Sequence, residues 1–169
     1  CKEQNFASYN AFFHRELLPG SRPIASGEGV LISPCDGKLI CCPVTEKSRF
    51  VIKHSTYSLQ SLLRSERIAE RFSGGTLLIF RLTVDDYHRY CYIADGKKSK
   101  NVRIPGVFHT VNPSAVGRIP VYKENTREFS LLKTQEFGTV LMVEAGAMLV
   151  GKIHNHHEEA WVRKGMEKG

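Results

Sequence analysis

GTVLMVEAGAMLVGKI, residues 138–153, reads as two short apolar strands, Thr139–Glu144 and Met148–Ile153, hinged on Ala145-Gly146. Turn residues bound each run, and the runs are too short for stable independent helices. The same grammar continues outward in both directions. Further strands are expected at Gly29–Ser33, Lys38–Val44, Arg49–Lys53, Thr76–Leu82, Tyr90–Ala94, Val102–Thr110, Ala115–Tyr122, Phe129–Gln135 and Ala160–Arg163. Turn signals separate them, among them Pro34-Cys35-Asp36-Gly37, Ser73-Gly74-Gly75, Ala94-Asp95-Gly96 and Phe137-Gly138. In the interior only Ser58–Arg71 reads as helix. At the start, residues 4–17 place Phe6, Tyr9, Phe13 and Leu17 at helical spacing before Leu18-Pro19-Gly20 ends the helix. The expected fold is therefore mainly β (α+β): a β-sandwich or barrel-like body with an N-terminal helix and one or two short internal helices.

Composition narrows the partners without choosing one. The 169 residues carry a formal net charge of +7 and a pI of about 9.3. That suits an anionic partner such as an acidic lipid surface, a phosphorylated small molecule or nucleic acid. Nucleic acid would rest on net charge alone, and no nucleic acid is expected. The length allows one domain, 1–169, with a core of its own. Five cysteines, Cys1, Cys35, Cys41, Cys42 and Cys91, form no CxxC pair and read as free thiols in a reducing compartment. No run approaches the about 18 apolar residues of a spanning helix, so membrane contact would be lateral. The aromatic N-terminal helix either docks on the domain's own core or faces a membrane or partner.

Four segments could carry chemistry. Ser33-Pro34-Cys35-Asp36-Gly37 holds a carboxylate at a tight turn, where Asp before Gly is ordinarily structural. Asp85-Asp86-Tyr87-His88-Arg89-Tyr90-Cys91 concentrates two acids, a histidine, an arginine and a thiol after an apolar strand. Histidine titrates near neutrality and can give or take a proton, although a His–Asp neighbour pair is more often structural. Gly106–Pro113 adds His109 with Thr110 and Asn112, polar groups able to fix a ligand or simply a strand entering an Asn-Pro turn. His154-Asn155-His156-His157-Glu158-Glu159 is the most metal-like stretch, yet zinc ligands usually come from separate elements, and no metal is expected. No phosphate-binding glycine loop, GxSxG or HExxH occurs.

In order, the chain carries FFHRELLPGSRPI, SPCDGKL, YSLQSLL, LTVDDYHRYCYIADG, GVFHTVNP, NTREFS, GTVLMVEAGAMLVGKI and VRKGMEKG. This succession resembles the phosphatidylserine decarboxylases from about residue 5 to the end, with DYHRY and the upstream SPCDG as its most specific pieces. The resemblance implies decarboxylation of phosphatidylserine to phosphatidylethanolamine by Schiff-base chemistry on a pyruvoyl group. It implies a proenzyme that cuts itself at a Gly-Ser bond, leaving the pyruvoyl on a small companion (alpha) chain. Asp36 matches the acid of the self-cleavage triad, and His88 the histidine of the decarboxylation step. The family's second histidine, three residues on, is here Cys91; either Cys91 or His109 would substitute as the self-cleavage base, or self-cleavage would be slow. Tyr87, Thr110 and Asn112 are expected to contact substrate. No Gly-Ser-Thr occurs in the chain, so it is expected to be either the large chain without its last few residues and the small pyruvoyl chain, or a truncated piece. The implied setting is peripheral, on the cytoplasmic face of an anionic cell membrane, with a homodimer as one assembly. The alternative is a non-catalytic phospholipid-binding fragment or degenerate relative, and a more remote one is a decarboxylase of a soluble amino-acid derivative. The strands around Ala145-Gly146 also resemble lipoyl and biotinyl carriers, but residues 144–148 offer no lysine.

Overall fold

A computed structural model describes residues 5–52, 55–108, 123–146 and 152–169. Among these residues the fold is mainly β with three short helices. The elements are α1 (Tyr9–Phe13), β1 (Lys38–Pro43), β2 (Phe50–Ile52), β3 (Ser55–Tyr57), α2 (Leu59–Leu63), α3 (Glu66–Arg71), β4 (Thr76–Arg81), β5 (Gly96–Lys98), β6 (Val102–Ile104), β7 (Val107–Phe108), β8 (Lys123–Glu124), β9 (Arg127–Thr134), β10 (Thr139–Ala145) and β11 (Ala160–Val162).

The central unit is a five-stranded antiparallel sheet ordered β10-β9-β5-β11, with β6 also on β9. Side chains alternate faces along β9, so Arg127, Phe129, Leu131 and Lys133 share one face and Ser130, Leu132 and Thr134 the other. On the first face Phe129 and Ile104 pack with Leu59, Leu62 and Leu63 of α2 and with Phe50, Tyr57 and Val44. On the second face Leu132, Met142 and Val162 pack with Tyr92, Ile93 and Ala94. A separate two-stranded ribbon, β1 with β4, adds Cys42, Leu77 and Ile79 to the first core.

Several expected elements are shorter than the sequence pattern suggests, or absent. The N-terminal helix covers only Tyr9–Phe13, capped by Ser8 and ended at His14. Ser58–Arg71 is two helices, because Arg64 turns left-handed (φ 48°) and Ser65 caps a new start. Gly29–Ser33 forms no strand. Tyr90–Ala94 forms none either, and the strand begins later, at Gly96. Val102–Thr110 breaks at Pro105-Gly106, since proline offers no ladder N–H. Ala115–Tyr122 and residues 148–151 lie outside the described residues, and Lys152 and Ile153 are not in a strand.

Candidate active site

His88 lies on an irregular loop anchored on three sides. A tight turn precedes it: Asp86 accepts from the Thr83 backbone N–H (2.6 Å) and hydroxyl (3.1 Å). These bonds hold the exposed Asp86 carboxyl below the usual carboxylate range. That carboxylate is therefore occupied with the turn. The Asp86 carbonyl faces His88 Nδ1 at 2.9 Å. A carbonyl can only accept, so Nδ1 carries the proton of the neutral ring and Nε2 is its basic nitrogen. The half-buried His88 ring lies on Phe13, centroids 3.8 Å apart and tilted 34°. Phe13 is buried while Tyr9, on the same helix, is largely exposed, so the aromatic face is split between core and surface.

Two arginines tie the loop to the N-terminal segment. Arg15 donates to the carbonyls of Asp85 (3.1 Å) and Asp86 (3.2 Å). Arg89 donates to the His14 carbonyl (2.9 and 3.1 Å) and pairs with Glu167 at 2.8 Å. The C-terminal segment runs alongside: Tyr90 N–H donates to the Gly169 carbonyl, Lys168 N–H to that of Tyr90, and Tyr92 N–H to that of Met166. At Gly169 a Cβ would collide with the His154 carbonyl and stand 2.7 Å from the Tyr90 hydroxyl, so no side chain fits there.

Asp36 enters on the fourth side. Gly37 (φ 119°) turns the chain so close to the Arg81 carbonyl, 2.8 Å from an added Cβ, that only glycine fits. The Asp36 carboxylate is gripped bidentately by Arg22, at 2.9 and 2.6 Å. That grip holds the Asp36 carboxyl below its ordinary range against the opposing effect of burial, with a Tyr87 backbone N–H and Arg15 adding to it. The same turn bonds to the histidine loop: Cys91 N–H donates to the Pro34 carbonyl at 2.8 Å, and Cys91 Sγ faces the Ser33 carbonyl at 3.7 Å.

The thiols report the setting. Burial pushes the Cys35 thiol up to about 12, with nearby Cys91, Asp36 and Asp86 adding to the rise. Burial also raises the Cys91 thiol. At neutral pH both are protonated, and Cys91 in this state makes a weak base. Burial raises the Tyr87 hydroxyl as well, although Leu17 N–H donates to it. His109, Thr110 and Asn112 lie outside the described residues. His154, His156 and His157 form a loose ring cluster, His156 meeting Glu167 at 2.8 Å. Among the described residues no three acidic, histidine or cysteine side chains are arranged to hold a metal ion.

Segments 12–17, 33–37, 85–91 and 165–169 thus meet at one place. A family model for phosphatidylserine decarboxylase matches residues 9–169, spanning all four. The chain belongs to the phosphatidylserine decarboxylase family. It is 45% identical over 168 residues to a protein named phosphatidylserine decarboxylase proenzyme 2 from Clostridium acetobutylicum, covering 99% of this chain and 57% of that one. It is 42% identical to a phosphatidylserine decarboxylase proenzyme from Clostridium novyi, covering 99% and 58%. A Fusobacterium nucleatum proenzyme of the same name is 36% identical, covering 98% and 56%. The chain thus spans somewhat over half the length of these decarboxylase-family proenzymes.

The sequence pattern placed Phe13 on an aromatic helix face without connecting it to His88, and it did not single out Arg22 or the Asp86 carbonyl, which hold Asp36 and His88. Arg22 lies inside the PGSRPI stretch, and the one available signal was an arginine beside a turn-forming proline.

Proposed function

We propose that this chain forms the larger part of a carboxy-lyase that converts phosphatidylserine to phosphatidylethanolamine. The observation that carries the reading is the meeting of four sequence-distant family segments around His88, with Asp36 and the Gly165–Gly169 segment on its flanks. The residues present suit a pyruvoyl group brought by a companion chain. His88 offers one exchangeable nitrogen, Phe13 shields one ring face, and Gly169 runs against Tyr90 beside it. When bound, that group supplies a ketone that condenses with the substrate amine and accepts the electrons released with CO2.

His88 then takes up a proton from solvent at Nε2 and delivers it to the substrate carbon in place of CO2. The Asp86 carbonyl fixes the tautomer and Phe13 the ring plane. Such positioned proton transfer contributes about 10²- to 10⁴-fold in rate. Asp36, kept ionised by Arg22, serves self-cleavage of the proenzyme. The protonated Cys91 thiol is poorly suited to act as the base of that step, which leaves His109 as the residue to test. Tyr87, Thr110 and Asn112 contact the substrate. The enzyme works peripherally on an anionic cell-membrane face in a reducing compartment; among the described residues no helix is long and apolar enough to cross a membrane.

The test uses the full-length gene product and reads processing by intact mass and CO2 release from phosphatidylserine vesicles against free serine. His88→Ala is expected to abolish decarboxylation while leaving self-cleavage, and Asp36→Ala to leave an uncut proenzyme. A purified wild-type protein without a borohydride-reducible carbonyl would refute the reading in favour of a non-catalytic phospholipid-binding relative.

A further inference from the structure

The five-stranded sheet contains two like-charge pairs directly opposite each other on neighbouring strands, an arrangement that costs stability unless something neutralises it. On the second face the pair is acidic, Glu144 opposite Glu128. There the protein supplies its own counter-charge. Lys168, with no exposed side chain, donates to Glu144 (2.7 Å), and Asn155 donates to Glu128 (2.7 Å) and Glu144 (3.3 Å). On the first face the pair is basic, Lys97 opposite Lys133. Glu159 meets Lys97 at 2.8 Å, but among the described residues no carboxylate pairs with Lys133.

The surroundings of the basic pair deepen the imbalance. A shallow concavity of about 270 Å³ is lined by Lys97, Lys133, Lys100 and Arg71, with Glu159 as its one acid. Lys98 contributes only backbone, its ammonium being buried on the Ser99 and Glu158 carbonyls. Four cations therefore face one carboxylate. In the same cross-strand row, directly opposite Lys97, stands Trp161, the only tryptophan of the chain and 73% exposed. Burial of indole in the protein's own core would be the ordinary outcome, whereas an exposed indole beside a net-positive patch suits a bilayer interface, where the ring sits at headgroup depth. The segment bearing Trp161 continues directly to Gly165–Gly169 at the candidate active site.

We infer that the Trp161–Lys97–Lys133 face, with Lys100 and Arg71, is the surface by which the protein docks on anionic phospholipid. This inference rests on the peripheral-membrane reading proposed above and names the surface responsible. Indole enters the headgroup layer, and the lipid phosphates supply the counter-charge that Lys133 lacks among the described residues. Each lysine at an anionic surface strengthens binding about fivefold, so Lys97 and Lys133 together contribute about thirtyfold. Salt weakens the attachment.

The experiment uses the processed full-length enzyme and vesicles of phosphatidylcholine with or without phosphatidylglycerol, an anionic lipid that is not the substrate. The difference in emission between wild type and Trp161→Phe isolates the Trp161 signal. A blue shift and quenching by brominated lipid are expected with phosphatidylglycerol and not with phosphatidylcholine alone. Lys97→Gln/Lys133→Gln should sediment with these vesicles about thirtyfold more weakly, yet melt no lower than the wild type, since the repulsion between the two lysines is gone, and turn over detergent-dispersed substrate at the wild-type rate. Vesicle binding with unchanged Trp161 emission and no effect of the double variant would overturn this surface and leave the peripheral reading intact. No binding to phosphatidylglycerol vesicles would overturn both, while activity on dispersed substrate would still be scored separately. Loss of self-association in Trp161→Ser, with vesicle binding intact, would overturn the proposal in favour of a protein–protein contact.

Discussion

Replacing Lys168 by Met should be among the most damaging single changes in the protein. Its ammonium has no exposed surface and donates to Glu144 Oε1 and Asn155 Oδ1, both at 2.7 Å. Burial favours the uncharged amine, so the ammonium's ordinary range is lowered, and Glu144 acts against that shift. Removing one partner of such a pair leaves the other charge buried and uncompensated, at a cost of about 3–5 kcal/mol. For a domain of this size that is roughly a 10 °C loss in Tm. Neutralising the partner as well, in Lys168→Met/Glu144→Gln, should restore at least half of the loss, because the stranded carboxylate is gone. Thermal unfolding of the wild type, both single variants and the double closes the cycle. Lys168 also precedes Gly169, whose carbonyl accepts from Tyr90, so the single variant should slow self-cleavage. A cost below about 1 kcal/mol for Lys168→Met, or a double variant as unstable as the sum of the singles, would refute the reasoning.

Arg22→Gln frees Asp36. The Asp36 carboxyl titrates lower in the folded chain than its unfolded value of 3.8, so the pair's contribution is complete above about pH 4 and disappears as pH falls through the lower folded value. Both side chains are partly exposed, so the Tm gap between wild type and variant should correspond to at most about 1 kcal/mol at pH 7 and close as pH falls through the lowered folded value. A gap that widens in acid would contradict this. Arg127→Met removes donors from the carbonyls of Leu62 (2.6 Å), Ser61 (2.8 Å) and Asn125 (3.1 Å) at a fully buried position, and should cost about 3 kcal/mol in urea unfolding. At pH 8 iodoacetamide should label the exposed Cys41 well before Cys35 and Cys91, whose thiols burial keeps protonated. Mapping the adducts by peptide mass checks this, and early labelling at Cys91 would restore it as a candidate base.

Alternation and nearby turn residues were enough to locate β1, β4, β9, β10 and β11, because each is a local pattern of apolar spacing. The helix start at Ser58 is equally local, a serine capping the next turn, whereas the restart at Ser65 was not read from the pattern. The motifs around Asp36 and His88 were legible for the same reason: they are short and contiguous. Other features depended on residues far away in the chain. Tyr90–Ala94 has strand-like composition, yet its backbone bonds to Met166, Lys168 and Gly169 in an irregular pairing that no spacing rule encodes. Lys168 reads as a polar tail residue and is buried because Glu144 and Asn155 wait for it. Arg22 finds Asp36, and Phe13 finds His88, only once the sheet has brought their segments together. Periodicity is written within a few residues, whereas counter-charge, burial and the partner of a backbone N–H are set by whatever the fold carries alongside.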